Sequence, residues 1–389
     1  MFDETNMDRN DALGEQLRTA YDKMKPPPAL EKAVRNGVPY SGKVNAKLHI
    51  RRFSKAVVSY VMCIVLLIGG VYLVSRLMSE HTPVATDPSQ TTTSDTTTDP
   101  ENPASDFKCR LNWDGAVTIT KYTGTDLTVV IPERIDNKPV TQIADGAFAA
   151  SEIVSVKMPD SITHIGGRAF FVCTNLTTVV LSSNVETIDS QAFFGCIKLS
   201  GITLPESLHK LGESAFQLCK ALTYISIPKS VTEWGDGVFK LSGLETIELK
   251  EGLESIGQSA FDSTNLKEVV IPSSVKQIQR SAFFGCGKLE QVTLNEGLVS
   301  IDALAFNATK IREIVIPGTV ENCNEFAFLR CDALQKVKFE GNAPAIFDNQ
   351  DPNQESQYGQ YLTSYTICYH EDAIGFTSPE WCGYPTEIW

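Results

Sequence analysis

A two-residue pattern, an apolar residue followed by phenylalanine, recurs nine times at regular intervals between residues 147 and 328. Successive copies are 22 or 23 residues apart, and the phenylalanines are Phe148, Phe170, Phe193, Phe216, Phe239, Phe261, Phe283, Phe306 and Phe328. A fixed period of this length is the signature of a repeat architecture, in which one unit cannot bury its own apolar side chains. The chain is therefore predicted to stack similar units around one continuous core, as solenoids do.

Each unit contains two short apolar segments. The first follows L-x-x-[V/I]-x-[L/I], as in residues 222–227, and its alternation predicts a short strand. Proline often follows this segment, as at Pro228, where the missing N–H ends the strand. The second follows [V/L/I]-x-x-I-x-x-x-A-F, as in residues 185–193, and predicts a turn or second extended piece that ends in a buried phenylalanine. We predict a mainly β solenoid of about nine units, with short turns or helical pieces.

The combined motif resembles the BspA-like leucine-rich repeats of bacterial and protist surface proteins, over about residues 110–345. Residues 113–124 look like that family's N-terminal hairpin, with Asp114-Gly115 as the turn signal, and residues 375–385 look like its terminal segment. The resemblance implies a leucine-rich-repeat solenoid over residues 106–345 with an N-terminal hairpin cap, and a C-terminal cap segment over residues 346–389. It also implies a surface-exposed binding role, often in adhesion or host contact, and no shared catalytic residues.

An uncharged apolar run lies between a basic and an acidic part of the chain. Residues 56–74 contain no charged side chain, and about 20 such residues are needed to cross a bilayer. A cleaved signal peptide is disfavoured because about 55 residues precede the run. We predict a transmembrane helix over residues 56–78. Five basic residues lie between residues 43 and 55, just before the apolar run, and Arg76 is the only Lys or Arg between residues 75 and 107. This asymmetry predicts a cytoplasmic N-terminus and an extracellular repeat domain in the cell membrane.

Two segments flank this run. Residues 79–105 are rich in Thr, Ser, Asp and Pro, which predicts a disordered stalk. In the cytoplasmic segment, residues 1–55, Leu13, Leu17 and Tyr21 form a helical stripe, and Leu30 could begin a second short helix. This segment either only sets the topology or docks on a cytoplasmic protein, in a layout that resembles a membrane-anchored regulator such as an anti-sigma factor.

Composition and motifs argue against catalysis. The net charge of −13 disfavours nucleic acid as a partner. The sequence shows no nucleophile–base motif, phosphate-binding glycine loop or zinc-ligand spacing, so we expect neither an enzyme nor a cofactor. Five cysteines each lie three residues after a repeat phenylalanine, where Ser or Thr stands in other units, which predicts a buried structural column: Cys173, Cys196, Cys219, Cys286 and Cys331. An extracellular location also permits a disulfide between Cys368 and Cys382.

The outward side of the predicted strands is the candidate binding face, because stacked strands form the usual binding surface of solenoids. This face is mostly uncharged in the first units, acidic in the middle and basic at its end. Its candidate residues are Lys157, Thr178, Thr203, Tyr224, Thr246, Glu248, Glu268, Gln291, Glu313, Lys336 and Lys338. A solvated sheet without a strong ligand is the alternative. The aromatic tail after residue 357 is either a second contact site or a cap over the last unit. The function expected is non-enzymatic binding of an extracellular protein or glycan, with a transmembrane sensor as the alternative and an extracellular hydrolase as a weaker third.

Overall fold

The computed structural model describes residues 100–345, 347 and 365–389. The predicted cytoplasmic segment, the transmembrane helix and residues 79–99 of the predicted stalk lie outside these residues. Within the described part of the chain, no helix has the length and apolar character required to cross a bilayer.

Short strands make up most of the regular structure. Helical geometry in the described residues is limited to two 3₁₀ turns, Ala104–Asp106 and Glu325–Phe328. In chain order the strands are β1 (Phe107–Leu111), β2 (Val117–Tyr122), β3 (Thr128–Val130), β4 (Arg134–Ile135), β5 (Lys138–Ile143), β6 (Ser155–Lys157), β7 (His164–Ile165), β8 (Thr178–Val180), β9 (Thr187–Ile188), β10 (Gly201–Ile202), β11 (Lys210–Leu211), β12 (Tyr224–Ile227), β13 (Glu233–Trp234), β14 (Thr246–Leu249), β15 (Ser255–Ile256), β16 (Glu268–Val270), β17 (Gln277–Ile278), β18 (Gln291–Thr293), β19 (Ser300–Ile301), β20 (Glu313–Ile316), β21 (Asn322–Cys323), β22 (Lys336–Phe339), β23 (Thr366–Tyr369), β24 (Glu380–Trp381) and β25 (Tyr384–Ile388).

These strands form two parallel ladders along the solenoid. The first ladder runs through β3, β6, β8 and β10, then β12 and β14, then β16 and β18, and ends with β20, β22, β23 and β25. The second runs through β2, β5, β7, β9, β11 and β13, and then through β15, β17, β19 and β21. Each pair joins equivalent residues of successive units, as Tyr224 and Thr246 do, so the repeat period sets the register.

The repeated phenylalanines form a continuous stack in the core. From Phe148 to Phe328, successive ring centroids are 4.9–5.8 Å apart and successive rings are within 16° of parallel. All nine rings are buried. Backbone bonds follow the stack, since the N–H of Phe193 donates to the carbonyl of Ala215 at 2.9 Å. The predicted leucine-rich-repeat solenoid is confirmed.

Tight turns bring each phenylalanine into this stack. In most units one residue two positions before the ring and one two positions after it have left-handed backbone, as Ser281 (φ 58°) and Gly285 (φ 67°) do around Phe283. Glycine adopts this conformation without the steric cost that Cβ imposes.

The cysteine column is a hydrogen-bonded part of the core. The Cys196 thiol donates to the Phe170 carbonyl at 3.1 Å, and the Cys286 thiol to the Phe261 carbonyl at the same distance. Thr264 fills the slot one unit before Cys286, and its hydroxyl is 3.2 Å from the Cys286 sulfur. Burial raises the pKa of Cys286 to about 12, which keeps its thiol protonated.

The N-terminal end is closed by an antiparallel hairpin of β1 and β2, as the turn signal predicts. Residues 100–105 belong to this end, although the composition places them in the stalk. Asn102 is buried, its N–H donates to the Val130 carbonyl at 2.9 Å, and its Oδ1 accepts from the Val130 N–H at 2.7 Å. Asn102 thus supplies the missing neighbour of β3, and the ordered domain includes residue 100 rather than starting at 106.

The C-terminal end extends the first ladder by β23 and β25. Tyr365, Trp381 and Tyr384 are buried, and the Tyr365 ring lies 6.3 Å from Phe328 at the end of the phenylalanine stack. These contacts favour the interpretation of the aromatic tail as a cap. The disulfide considered for Cys368 and Cys382 is not present in the structure, which places Cys368 buried in β23 and Cys382 exposed in the turn after β24.

Candidate ligand-binding face

We call the outward side of the first ladder the strand face. Side chains alternate between the two faces of a strand, so Ile225 and Ile227 point into the core while Tyr224 points outward. Nine predicted residues are exposed here: Lys157, Thr178, Thr203, Tyr224, Thr246, Glu248, Glu268, Gln291 and Glu313. The parallel register brings them together as columns, with Glu268 beside Gln291 and Tyr224 beside Thr246.

The middle of the strand face presents one aromatic ring beside a carboxylate. Tyr224 is 54% exposed, and its hydroxyl donates to Glu248 Oε2 at 3.2 Å. Hydrogen bonds from the Ser226 and Tyr224 hydroxyls lower the pKa of Glu248 from its ordinary value. The Glu248 carboxylate and the ring of Tyr224 therefore lie side by side on the solvent-exposed surface.

The basic end suggested by the sequence is neutralised in the structure. Lys336 and Lys338 are half-buried, unlike the other predicted residues. The Lys338 ammonium is 2.5 Å from Glu313 Oε1 and 4.6 Å from the centre of the Trp389 ring. Lys336 pairs with Glu387 at 3.1 Å, and this hydrogen bond raises the pKa of Lys336. The C-terminal strand thus occupies both lysines, and the exposed part of the strand face ends before them.

A shallow groove of about 320 Å³ borders the strand face, and sequence reasoning missed it. Its lining alternates amines with carboxylates and comprises Lys267, Glu268, Gly287, Lys288, Glu290, Gln291 and Lys310. Lys288 and Lys310 lie just before the first-ladder strands of consecutive units, β18 and β20, so an alignment of the repeats would have indicated that these two lysines are neighbours. Lys267 is paired with Glu245 at 2.7 Å.

The second ladder carries a polar network around the half-buried His164. The imidazole Nδ1 lies 2.8 Å from Thr187 Oγ1, and Nε2 lies 3.1 Å from Asp189 Oδ2. Lys210 reaches the same carboxylate at 3.7 Å. These contacts link three successive units across the ladder. Among the described residues, no group of three His, Cys, Asp or Glu side chains could hold a metal ion.

The repeat geometry corresponds to a known family. A family model for the BspA type leucine rich repeat region matches six copies over residues 141–267 and 254–350, which is more than half of the chain. This chain belongs to the BspA-type leucine-rich repeat family. Among curated proteins, no sequence matches it.

Solved bacterial leucine-rich repeat proteins share the solenoid. One from Bacteroides ovatus is 23% identical with a TM-score of 0.58, over 73% of this chain and 75% of that chain. The T. pallidum leucine rich repeat protein is 28% identical with a TM-score of 0.43, over 60% and 91% of the two chains. A leucine rich cell surface protein from Faecalibacterium prausnitzii is 22% identical with a TM-score of 0.47, over 76% and 96%. The Bacteroides structure supports the fold of this BspA-type chain.

Proposed function

We propose that this protein is a membrane-anchored cell-surface receptor or adhesin whose repeat domain binds an extracellular protein or glycan. The observation that carries the proposal is the strand face, whose middle exposes Tyr224, Glu248, Glu268 and Gln291 in register and borders the charged groove. Leucine-rich-repeat solenoids are typically non-enzymatic binding scaffolds, and their extended strand faces supply the contact surface.

The chemistry of this region favours a polar ligand. Carboxylates of Glu248 and Glu268 can accept hydrogen bonds from sugar hydroxyls or from basic side chains, while Lys288 and Lys310 can meet acidic groups. The edge of Tyr224 adds apolar contact beside a hydrogen-bond donor. We propose that the protein acts by binding alone, without catalysis.

The sensor function is the alternative. It is supported by the apolar run over residues 56–74 together with the amphipathic stripe in residues 1–55, because a short helix without its own core can dock on a partner. A pull-down with residues 1–55 that recovers no cytoplasmic protein would remove this alternative and leave the surface-binding proposal intact.

The test of the main proposal is affinity capture of matrix proteins, mucins and glycans by the full chain in detergent. A captured ligand is then titrated against Tyr224→Ala, Glu248→Gln and Lys288→Ala. Glu233→Gln is the matched control, because Glu233 is exposed on the second ladder, in β13. We expect at least one variant on the strand face or groove to weaken binding by about tenfold or more, as interface hot spots do, and the control to bind normally. Equal binding by all variants would refute the assignment of the strand face.

A further inference from the structure

The N-terminal edge of the solenoid exposes apolar side chains that the binding face does not use. Trp113 at the tip of the β1–β2 hairpin is 100% exposed, and Leu111 and Leu127 are 57% and 53% exposed. Tryptophan is highly buried on average, and exposed apolar patches mark interaction sites. The exposed indole of Trp113, two positions after the exposed Leu111, is therefore a candidate contact site.

The hairpin holds this indole on a rigid turn. The Asn112 N–H donates to the Ala116 carbonyl at 2.8 Å, and the Ala116 N–H donates to Asp114 Oδ1 at 2.9 Å. The Thr118 hydroxyl donates to Asn112 Oδ1 at 2.9 Å, and Gly115 supplies the left-handed residue of the turn at φ 83°. A preorganised loop loses little conformational freedom when its tip makes contact. The turn also engages Oδ1 of Asp114, the residue that follows Trp113 in the chain.

The charges on the two hairpin strands are all positive. Lys108 and Arg110 in β1 and Lys121 in β2 are exposed. Tryptophan and leucine flanked by Lys and Arg are the combination that settles in the headgroup region of a bilayer, where the indole finds both apolar and polar surroundings.

The chain itself limits how far this edge can be from a bilayer. Twenty-five residues, 75–99, separate the apolar run from the first described residue. Even fully extended they span at most about 90 Å. A tether no longer than this keeps the hairpin close to the membrane surface, so even a weak contact there is populated.

We propose that the tip of the β1–β2 hairpin rests in the headgroup region of the bilayer that carries the chain, with Trp113 and Leu111 as the inserted side chains. This inference rests on the membrane anchoring under Proposed function, and it adds a second contact that orients the solenoid. Contact at this edge leaves Tyr224 and the rest of the middle strand face unobstructed for a ligand.

The test measures the tryptophan fluorescence of the full chain in vesicles of phosphatidylcholine and phosphatidylglycerol. Some vesicles carry lipids brominated close to the headgroup, because bromine quenches only indoles that reach the bilayer. We expect brominated lipid to quench part of the wild-type emission, and this part to disappear in Trp113→Phe. Trp389→Phe is the matched control, since Trp389 is 41% exposed at the opposite end of the chain, and it should keep the quenched component.

Two further measurements keep the outcomes distinct. Trp113 is fully solvated in the structure, so Trp113→Phe should unfold at the wild-type temperature. Whichever variant of the strand face or groove weakens ligand binding should keep the lipid quenching, which separates this inference from the strand-face assignment. If wild type and Trp113→Phe are quenched equally, or if aqueous acrylamide reaches Trp113 fully in vesicles, the proposal is overturned. A chain that does not float with the vesicles overturns both the anchor and the hairpin contact.

Discussion

The phenylalanine stack makes a quantitative prediction about how stability is distributed along this solenoid. Phe216 lies between Phe193 and Phe239, with ring centroids 5.3 and 5.5 Å away. An aromatic pair contributes about 0.5–1.5 kcal/mol beyond the burial of its area. Phe216→Leu keeps an apolar side chain but loses both ring pairs, so it should lower the free energy of unfolding by about 1–3 kcal/mol.

Pairs of substitutions separate neighbour contacts from effects that spread through the core. Phe193 and Phe216 share one ring pair, which a double Leu variant loses only once. The double variant should therefore lose about 0.5–1.5 kcal/mol less than the sum of the two single losses. Phe193 and Phe283 are four units apart and share no pair, so their losses should add.

The assay is urea unfolding of residues 100–389, which lie together in one compact unit, followed by far-UV circular dichroism. The comparison of single and double variants requires that all of them show the same slope of unfolding free energy against urea concentration, because a changed slope signals partial unfolding of the repeat array. Additive losses for the adjacent pair, or equal coupling for the adjacent and the distant pair, would refute a stability built from nearest-neighbour contacts.

Three shorter predictions follow from the same structure. Cys196→Ala removes one of the two donors to the Phe170 carbonyl, which keeps the Cys173 N–H at 3.2 Å, and it also opens a small cavity. Thermal unfolding should show a loss of about 1–2 kcal/mol, whereas Cys196→Ser restores the second donor and should lose less; equal losses would contradict the thiol hydrogen bond. Ser281→Gly relieves the strain of a left-handed backbone and should raise the free energy of unfolding by about 0.5–1 kcal/mol, whereas Ser255→Gly, in strand β15, should lower it by a similar amount. If both variants are less stable than the wild type, the turn is not strained. Burial lowers the pKa of Lys220 from 10.5 to about 8, so between these pH values the unfolded chain binds more protons than the folded one. Lys220→Met should therefore raise the free energy of unfolding at pH 7, and this gain should shrink as the pH rises from 8 towards 10.5. A gain that is independent of pH would rule out this titration.

The repeat motif identified the residues of the strand face but could not show where its exposed part ends. Alternation within each short strand places Tyr224 outward and Ile225 inward without reference to any other part of the chain, because a strand has a period of two. The same alternation places Lys338 outward, yet it cannot show that Trp389 lies over that ammonium. The contact depends on how β23 and β25 continue the ladder, and nothing in the local motif encodes it.

The start of the domain shows a similar limit. Residues 100–105 have the polar composition of the stalk before them, and composition places them in it. Asn102 reverses that assignment because its backbone and side chain together bond both polar groups of Val130. One buried residue that hydrogen-bonds to the edge of a strand can decide where a domain starts, but it has little effect on the average composition of the 27 residues 79–105.

The sequence by itself determined the solenoid, the period, the buried phenylalanines and the cysteine column, since a repeat of 22 or 23 residues can bury its apolar positions only by stacking. Tertiary structure decided which of the outward residues remain available. Glu387 meets Lys336 across 51 positions of sequence, and the groove beside Gln291 joins side chains of adjacent units. Burial follows from local periodicity, whereas charge pairing and surface shape follow from which distant segments the fold brings together.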